Sequence, residues 1–300
     1  MNQMQESGGR KIWRIVCPLL TYFGVSIAAG IVIGLVLSMK YISGLGPEVD
    51  IDQVSAVIMK AMLEKTLLIT LICDGLTIPF LLLFMQKDKK RDVEFGRFRR
   101  YGMPDAKALL GCVVLGIGLC VTENNLLDIS GLTQTLSEDS EMITQLLYQG
   151  GVWFELLVVG IVGPVMEELL FRGVIQKRLE DYSRPVMAAV LSALIFGVFH
   201  GNMLQFIYAF LFGLGFAFIY KKFHTVWAPI LAHCAGNITS VLLTETPFLK
   251  GIEEWSFAHI LFIVTGALLA LAGFGLVYYA REPELLISPS AEGMQDHSAL

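Results

Sequence analysis

Two glutamates and an arginine interrupt an otherwise apolar stretch, GPVMEELLFRG, at residues 163–173. On a helix Glu168 and Arg172 are four residues apart with the acid first, which favours an ion pair between them. Glu167 lies about 100° around the helix axis from Glu168 and cannot share that contact. Charges in lipid cost roughly 2.5–3.5 kcal/mol each on insertion scales. The spacing therefore predicts an internal Glu168–Arg172 pair and a free Glu167 that faces a polar cavity.

A second feature of this stretch is the Gly163-Pro164 pair, one turn before the glutamates. Proline lacks the backbone N–H that a helix interior needs, so it interrupts the hydrogen-bond ladder. We expect the helix to kink or widen at this point.

Polar residues also recur at helical spacing in two later apolar segments. Phe196 and His200 are four residues apart in AAVLSALIFGVFHG, and so are His233 and Asn237 in VWAPILAHCAGNITS. Ionisable groups inside membranes normally face a bundle interior or a water-filled pocket. Together with Glu167 they supply a carboxylate base, imidazoles and an amide donor for an oxyanion, which are the components of a hydrolytic site.

The two histidines differ in their expected depth. By helix rise, His200 lies roughly 22 Å and His233 roughly 10 Å from the cytoplasmic start of its segment. They can meet only if the two segments are tilted or staggered.

The ordered motifs E-E-x-x-x-R, F-x-x-x-H and H-x-x-x-N on successive apolar segments resemble the CPBP (Abi) family of intramembrane proteases. That family includes type II CAAX prenyl endopeptidases and bacterial bacteriocin-processing and immunity proteins. Each motif alone is weak, but their order and their membrane setting are specific. The resemblance covers about residues 150–245.

The resemblance implies a role for each matching residue. Glu167 would be the general base, and His200 would help to orient and activate the attacking water. His233 and Asn237 would stabilise the tetrahedral oxyanion, while Glu168 and Arg172 would hold the geometry of the site. Phe196 is expected to be a packing residue beside it.

The sequence favours a site without a cofactor, although a divalent metal such as zinc stays open. There is no H-E-x-x-H motif, and catalytic zinc usually has three strong protein ligands. Glu167, His200 and His233 could supply three. The resemblance does not decide the question, because the family has been called metalloproteases while its members also look like metal-independent glutamate proteases.

The elements that must position these residues are long apolar helices. The chain is 55% hydrophobic and only 16% charged, with a mean hydropathy of +0.64. These values predict an all-α, polytopic helix bundle in the cell membrane rather than a soluble domain. Eight spans are expected, at about 14–38, 66–86, 107–123, 152–176, 185–201, 204–220, 226–244 and 257–280.

The distribution of Lys and Arg predicts the orientation of these spans. Seventeen of the 22 basic residues lie before the first span or in the loops after even-numbered spans, eight of them within residues 86–107. This distribution predicts that both termini are cytoplasmic. We also expect spans four to seven to form a conical site that opens toward the cytosol.

Four regions are expected along the chain. They are N-terminal spans with a basic loop (1–145), a protease-like core (146–247), a last span (248–281) and a disordered tail (282–300). Asp74, an acid within the second span, has no evident partner and is more readily explained as structural.

The expected partners are a peptide or prenylated-protein substrate and the lipid bilayer. The net charge of −5 gives no basic surface for nucleic acid. The leading alternative is a catalytically silent scaffold or bacteriocin-immunity protein with the same fold. A transporter is a weaker alternative, since no internal repeat is evident.

Overall fold

The computed structural model describes residues 7–42, 51–136, 150–246 and 257–287. The elements are α1 (Gly8–Ile42), α2 (Ile51–Leu63), α3 (Thr66–Glu94), β1 (Arg100–Tyr101), α4 (Ala106–Ile129), α5 (Leu132–Thr135), α6 (described next), α7 (Pro185–Phe199), α8 (Met203–Phe223), α9 (Trp227–Glu245), α10 (Ala258–Tyr279) and β2 (Leu285–Ile287). Each of the eight predicted spans coincides with one of the long helices. The all-α prediction is confirmed.

Helix α6 carries the two glutamates and alternates between α and π geometry. Its consecutive segments are Val152–Leu157 (α), Val158–Val162 (π), Gly163–Glu168 (α), Leu169–Gln176 (π) and Lys177–Glu180 (α). The first π segment directly precedes Pro164, where the Gly163 N–H bonds to Val158 O rather than to the carbonyl four residues back. The widening predicted at Gly163-Pro164 is therefore present.

Five helices, α1, α3, α4, α8 and α10, are long and apolar enough to cross a membrane on their own. Helix α7, with 15 residues, reaches only about 22 Å, less than the roughly 30 Å of a hydrocarbon core. It ends at a tight connection in which Gly201 has φ +78°, and α8 returns alongside it. The chain is a multi-pass membrane protein, and its shorter and more polar helices lie where the site is built.

Small residues let α4 approach two neighbours closely. A β carbon on Gly116 would overlap the carbonyl oxygen of Ala232 on α9, and one on Gly118 would overlap the backbone nitrogen of Ala270 on α10. Glycine allows such backbone contact because it has no side chain. This packing fixes α9, the helix that carries His233 and Asn237, against the N-terminal half of the chain.

Replacing Gly116 with alanine is expected to destabilise the protein by about 1–3 kcal/mol, because the added methyl group must displace the backbone of α9. The measurement is thermal unfolding of the purified protein in detergent. Gly275→Ala is the matched control, since a β carbon there would meet nothing within 4 Å. Equal unfolding temperatures for the two variants would contradict this packing.

Ion pairs tie together the helix ends that carry the basic residues. Arg14 on α1 and Arg178 on α6 both bind Asp88 on α3, at 3.0 and 2.6 Å. Arg14 and Arg91 also bind Asp181, at 3.1 and 2.9 Å. These helix ends therefore lie at one end of the bundle, which we call the basic end.

The segment after α10 also returns to the basic end. Strand β2 pairs antiparallel with β1, and Tyr101 of β1 stacks on His224 with ring centroids 4.1 Å apart. The predicted disordered tail is therefore wrong for residues 285–287, because the backbone of β1 offers them hydrogen-bond partners. Residues 288–300 lie outside the described part.

The four predicted regions pack as one bundle in the described part of the chain. Helix α3 contacts α6, and helix α4 contacts α9, so both N-terminal helices pack on the protease-like core. The predicted boundaries at 145/146 and 247/248 fall in residues 137–149 and 247–256, which the structure does not describe, so the region limits stay predictions.

Candidate active site

The predicted ion pair forms inside the bundle. Arg172 Nη1 donates to Glu168 Oε1 at 2.8 Å, and both side chains are fully buried. Residues 169–176 on either side of Arg172 are buried as well. A buried pair of this kind depends on further partners, because mutual attraction alone rarely offsets the loss of hydration.

Arg172 finds those further partners on α7 and α8. Its Nη2 donates to the carbonyl oxygen of Gly213 at 2.9 Å. The guanidinium carbon lies 4.7 Å from the ring centroid of Phe196 and 5.3 Å from that of Phe216. The arginine is thus held between two aromatic faces, an arrangement that stabilises a cation away from water.

Glu167 points away from this pair and toward His233. Its Oε2 lies 3.7 Å from His233 Nε2, and the other imidazole nitrogen, Nδ1, lies 2.9 Å from Glu168 Oε1. A carboxylate accepts, so Nδ1 carries a proton and donates to Glu168. The Glu167–His233 separation is longer than a direct hydrogen bond.

His200 lines the same cavity as Glu167 but makes its hydrogen bond elsewhere. Its Nδ1 lies 2.8 Å from the carbonyl oxygen of Phe196 and must donate to it, which leaves Nε2 as the acceptor in a neutral ring. The Phe196 ring contacts both imidazoles, with centroids 4.9 Å from His200 and 5.9 Å from His233. Within the described residues, no hydrogen bond or ion pair joins His200 to Glu167. The two histidines, on α7 and α9, thus lie around the same phenyl ring.

Asn237 is oriented by the wide turn of α6. Its Nδ2 donates to the carbonyl oxygen of Val159 at 2.9 Å. That carbonyl is available because the Gly163 N–H bonds to Val158 instead and Pro164 has no N–H to offer. The Gly-Pro pair thus creates the acceptor that fixes the amide of Asn237.

All four predicted site residues line one cavity of about 830 Å³. Glu167, His200, His233 and Asn237 share it with Phe196 and with polar residues from α3, α4, α8 and α9. The cavity is large enough for a peptide segment of a few residues. The predicted shared cleft is present, whereas the chemical role of each residue stays a prediction.

The described residues do not gather three metal ligands. They contain no group of three His, Cys, Asp or Glu side chains placed to hold a metal ion. His200 and His233 each use Nδ1 as a donor, to the Phe196 carbonyl and to Glu168, which leaves Nε2 of both rings. No reaction step is assigned to a metal, and a site without a cofactor stays a prediction.

The cavity extends away from the basic end of the bundle. Its outer lining includes Asn124 near the end of α4, Gln205 near the start of α8 and Thr244 near the end of α9. Residues 169–176 of α6, which follow Glu167 toward the basic end, are buried and do not line the cavity. The cavity thus opens at the end of the bundle opposite the basic end, where the N-terminal Arg14 lies. The sequence predicts both cytoplasmic termini and a site open to the cytosol, and in this structure the two predictions cannot both be correct.

Two cavity features could not be assigned from the sequence. Phe216 stacks on His233 with ring centroids 4.6 Å apart, and one phenylalanine among 19 carries no signal of such a contact. Asp74 on α3 lines the same cavity as Glu167. The sequence marks Asp74 as unusual because it is an acid within an apolar span. Its place in the cavity follows only from the packing of α3 on α6.

The fold and site define a multi-pass membrane protein with a carboxylate, two imidazoles and an amide on the lining of one cavity. Residues 149–239 match the family model described as Type II CAAX prenyl endopeptidase Rce1-like. This match covers the motif-bearing helices, so the predicted resemblance is confirmed there.

Two curated bacterial proteins are similar to this chain. The putative membrane peptidase YdiL of Bacillus subtilis is 30% identical over 120 residues, which are 40% of this chain and 48% of YdiL. The membrane-embedded CAAX protease MroQ of Staphylococcus aureus is 28% identical over 215 residues, which are 68% of this chain and 84% of MroQ. The chain thus spans about half the length of YdiL. No solved structure gives a significant match.

Proposed function

We propose that the protein is an intramembrane endopeptidase that hydrolyses a peptide bond of a membrane-associated peptide or protein. The observation that carries this proposal is the placement of Glu167 beside His233 on the wall of the cavity, with their polar atoms 3.7 Å apart. The family model is described as an endopeptidase, and the two relatives are named as a peptidase and a protease.

In the proposed reaction Glu167 accepts a proton from a water molecule while the water oxygen attacks the peptide carbonyl carbon. His200 Nε2, which is left as an acceptor by the Phe196 contact, orients that water. The oxyanion receives hydrogen bonds from protonated His233 Nε2 and from the second amide hydrogen of Asn237. Glu167 then passes its proton to the leaving amine as the C–N bond breaks, so the carboxylate is regenerated.

The test of this proposal is peptide cleavage by the purified full chain in lipid nanodiscs. We expect products from an N-acylated peptide library, detected by mass spectrometry, and unchanged rates after treatment with EDTA or 1,10-phenanthroline. Loss of activity on chelation with recovery on added zinc would contradict the metal-free mechanism. The absence of cleavage across the library would contradict the endopeptidase and favour the catalytically silent scaffold.

For the sidedness of the site, we propose that the orientation predicted from Lys and Arg is correct and that the cavity opens outward. Seventeen basic residues support that orientation. Three of them, Arg14, Arg91 and Arg178, meet in the ion-pair network of the basic end. Substrates would then be peptide segments in the outer leaflet or already translocated across the membrane.

Cysteine labelling in intact cells measures this sidedness. Asn124→Cys, at the cavity mouth, is expected to react with a membrane-impermeant maleimide added outside, whereas Arg99→Cys, in the basic loop, is expected to react only after permeabilisation. The unsubstituted protein, whose five cysteines lie in apolar segments, gives the background. The reverse labelling pattern would place the site on the cytoplasmic side.

A further inference from the structure

Asp74 is a cavity residue for which the proposed reaction has no use. Its side chain lines the cavity, and the residue is only 2% exposed. Its Oδ1 is buried, and no hydrogen-bond partner for that atom exists among the described residues. A buried carboxylate without a partner costs several kcal/mol if it is ionised, so such a group usually has a ligand or a counter-charge.

The position of Asp74 relative to Glu167 is fixed by helix α6. A β carbon built on Gly163 would lie 3.9 Å from Asp74 Oδ2, which places the carboxylate against α6 at Gly163. Gly163 precedes Glu167 by one turn, about 6 Å along the helix toward the cavity mouth. An extended peptide advances about 3.3 Å per residue. Asp74 therefore lies about two substrate residues from the bond that Glu167 would attack.

The charges around the cavity define which side chain would suit that position. Its acidic and histidine side chains are those of Asp74, Asp128, Glu167, His200 and His233, with no Lys or Arg among the described lining residues. A cationic side chain would meet favourable potential in this cavity and would supply the missing partner of Asp74.

We propose that Asp74 binds a Lys or Arg side chain of the substrate, about two residues from the cleaved bond on the side of the cavity mouth. This inference rests on the proposed function, since it takes the cleaved bond to lie at Glu167. It makes the substrate class a membrane-associated peptide with a basic residue close to the cleavage site.

The test measures binding and cleavage separately, with N-acylated fluorescent peptides in which one lysine is moved along a neutral scaffold. By fluorescence anisotropy in nanodiscs, we expect the full-length protein to bind at least one lysine peptide tenfold or more tightly than its norleucine counterpart. Asp74→Asn is expected to reduce that ratio below threefold. Glu123→Gln is the matched control and should keep the ratio, because Glu123 is also a buried acid within an apolar helix but does not line the cavity.

Equal binding of every lysine and norleucine pair by the unsubstituted protein would overturn the proposal, whether or not Asp74→Asn folds. A lysine preference that survives in folded Asp74→Asn would overturn it as well. Cleavage is scored independently by mass spectrometry, with lysine expected about two residues from the cut. A lysine preference in binding without any cleavage would support the Asp74 site and contradict the endopeptidase.

Discussion

Glu167→Gln is expected to lower the rate of peptide cleavage by about 10²–10⁴-fold, the range that a general base usually contributes. Glutamine keeps the size of the side chain, but its amide cannot accept the proton of the attacking water. The neighbouring Glu168–Arg172 pair does not involve Glu167, so the fold should be retained. The measurement is the initial cleavage rate of one library peptide in nanodiscs, with thermal unfolding of the same preparation.

Glu123→Gln is the matched control for this substitution. Glu123 is also an acid within an apolar helix, and its buried Oε1 has no hydrogen-bond partner among the described residues, but it does not line the cavity. We expect near-normal cleavage from this variant. A folded Glu167→Gln protein that retains more than a tenth of the normal rate would refute the role of Glu167 as the base.

The second large effect is expected from breaking the buried ion pair. Arg172→Met should destabilise the protein by about 3–5 kcal/mol, because it leaves the Glu168 carboxylate inside the bundle without its cation. Methionine fills much of the space between the rings of Phe196 and Phe216 and packs well on aromatic faces. The loss should therefore come mainly from the unpaired charge, and thermal unfolding in detergent measures it.

The double variant Glu168→Gln/Arg172→Met separates charge from packing. Glutamine still accepts from His233 Nδ1 through its amide oxygen, but it carries no charge. Both variants lose the hydrogen bond to Gly213, so the difference between them reports the uncompensated carboxylate. We expect the double variant to unfold at a higher temperature than Arg172→Met. An equal or lower temperature would show that the pair acts through packing alone.

The parts of the site that depend on spacing along one helix could be predicted from the sequence. The Glu168–Arg172 contact, the separate direction of Glu167 and the widening at Gly163-Pro164 all follow from the periodicity of a single segment. The helices at the eight predicted positions, five of which are long and apolar enough to cross a membrane, follow from hydropathy because lipid requires apolar, internally hydrogen-bonded segments. These features involve few long-range contacts, which is why pattern alone was sufficient.

The parts that depend on packing between helices could not be predicted. The imidazole nearest Glu167 is that of His233, which depends on how α9 packs against α6. The bond from Asn237 to Val159 requires a carbonyl that only a π turn makes available. Strand β2 forms because a partner strand lies nearby, although its own segment, with Pro and acidic residues, resembles a disordered tail.

The buried residues 169–176 also bear on how water can be used inside a bilayer. These residues follow Glu167 along α6 toward the basic end and do not line the cavity, so we expect the cavity to communicate with one compartment only. Water and protons could then reach Glu167 without a continuous wire across the membrane, so hydrolysis would not dissipate the proton gradient of the cell. The acidity that Glu167 experiences would be that of the compartment at the cavity mouth.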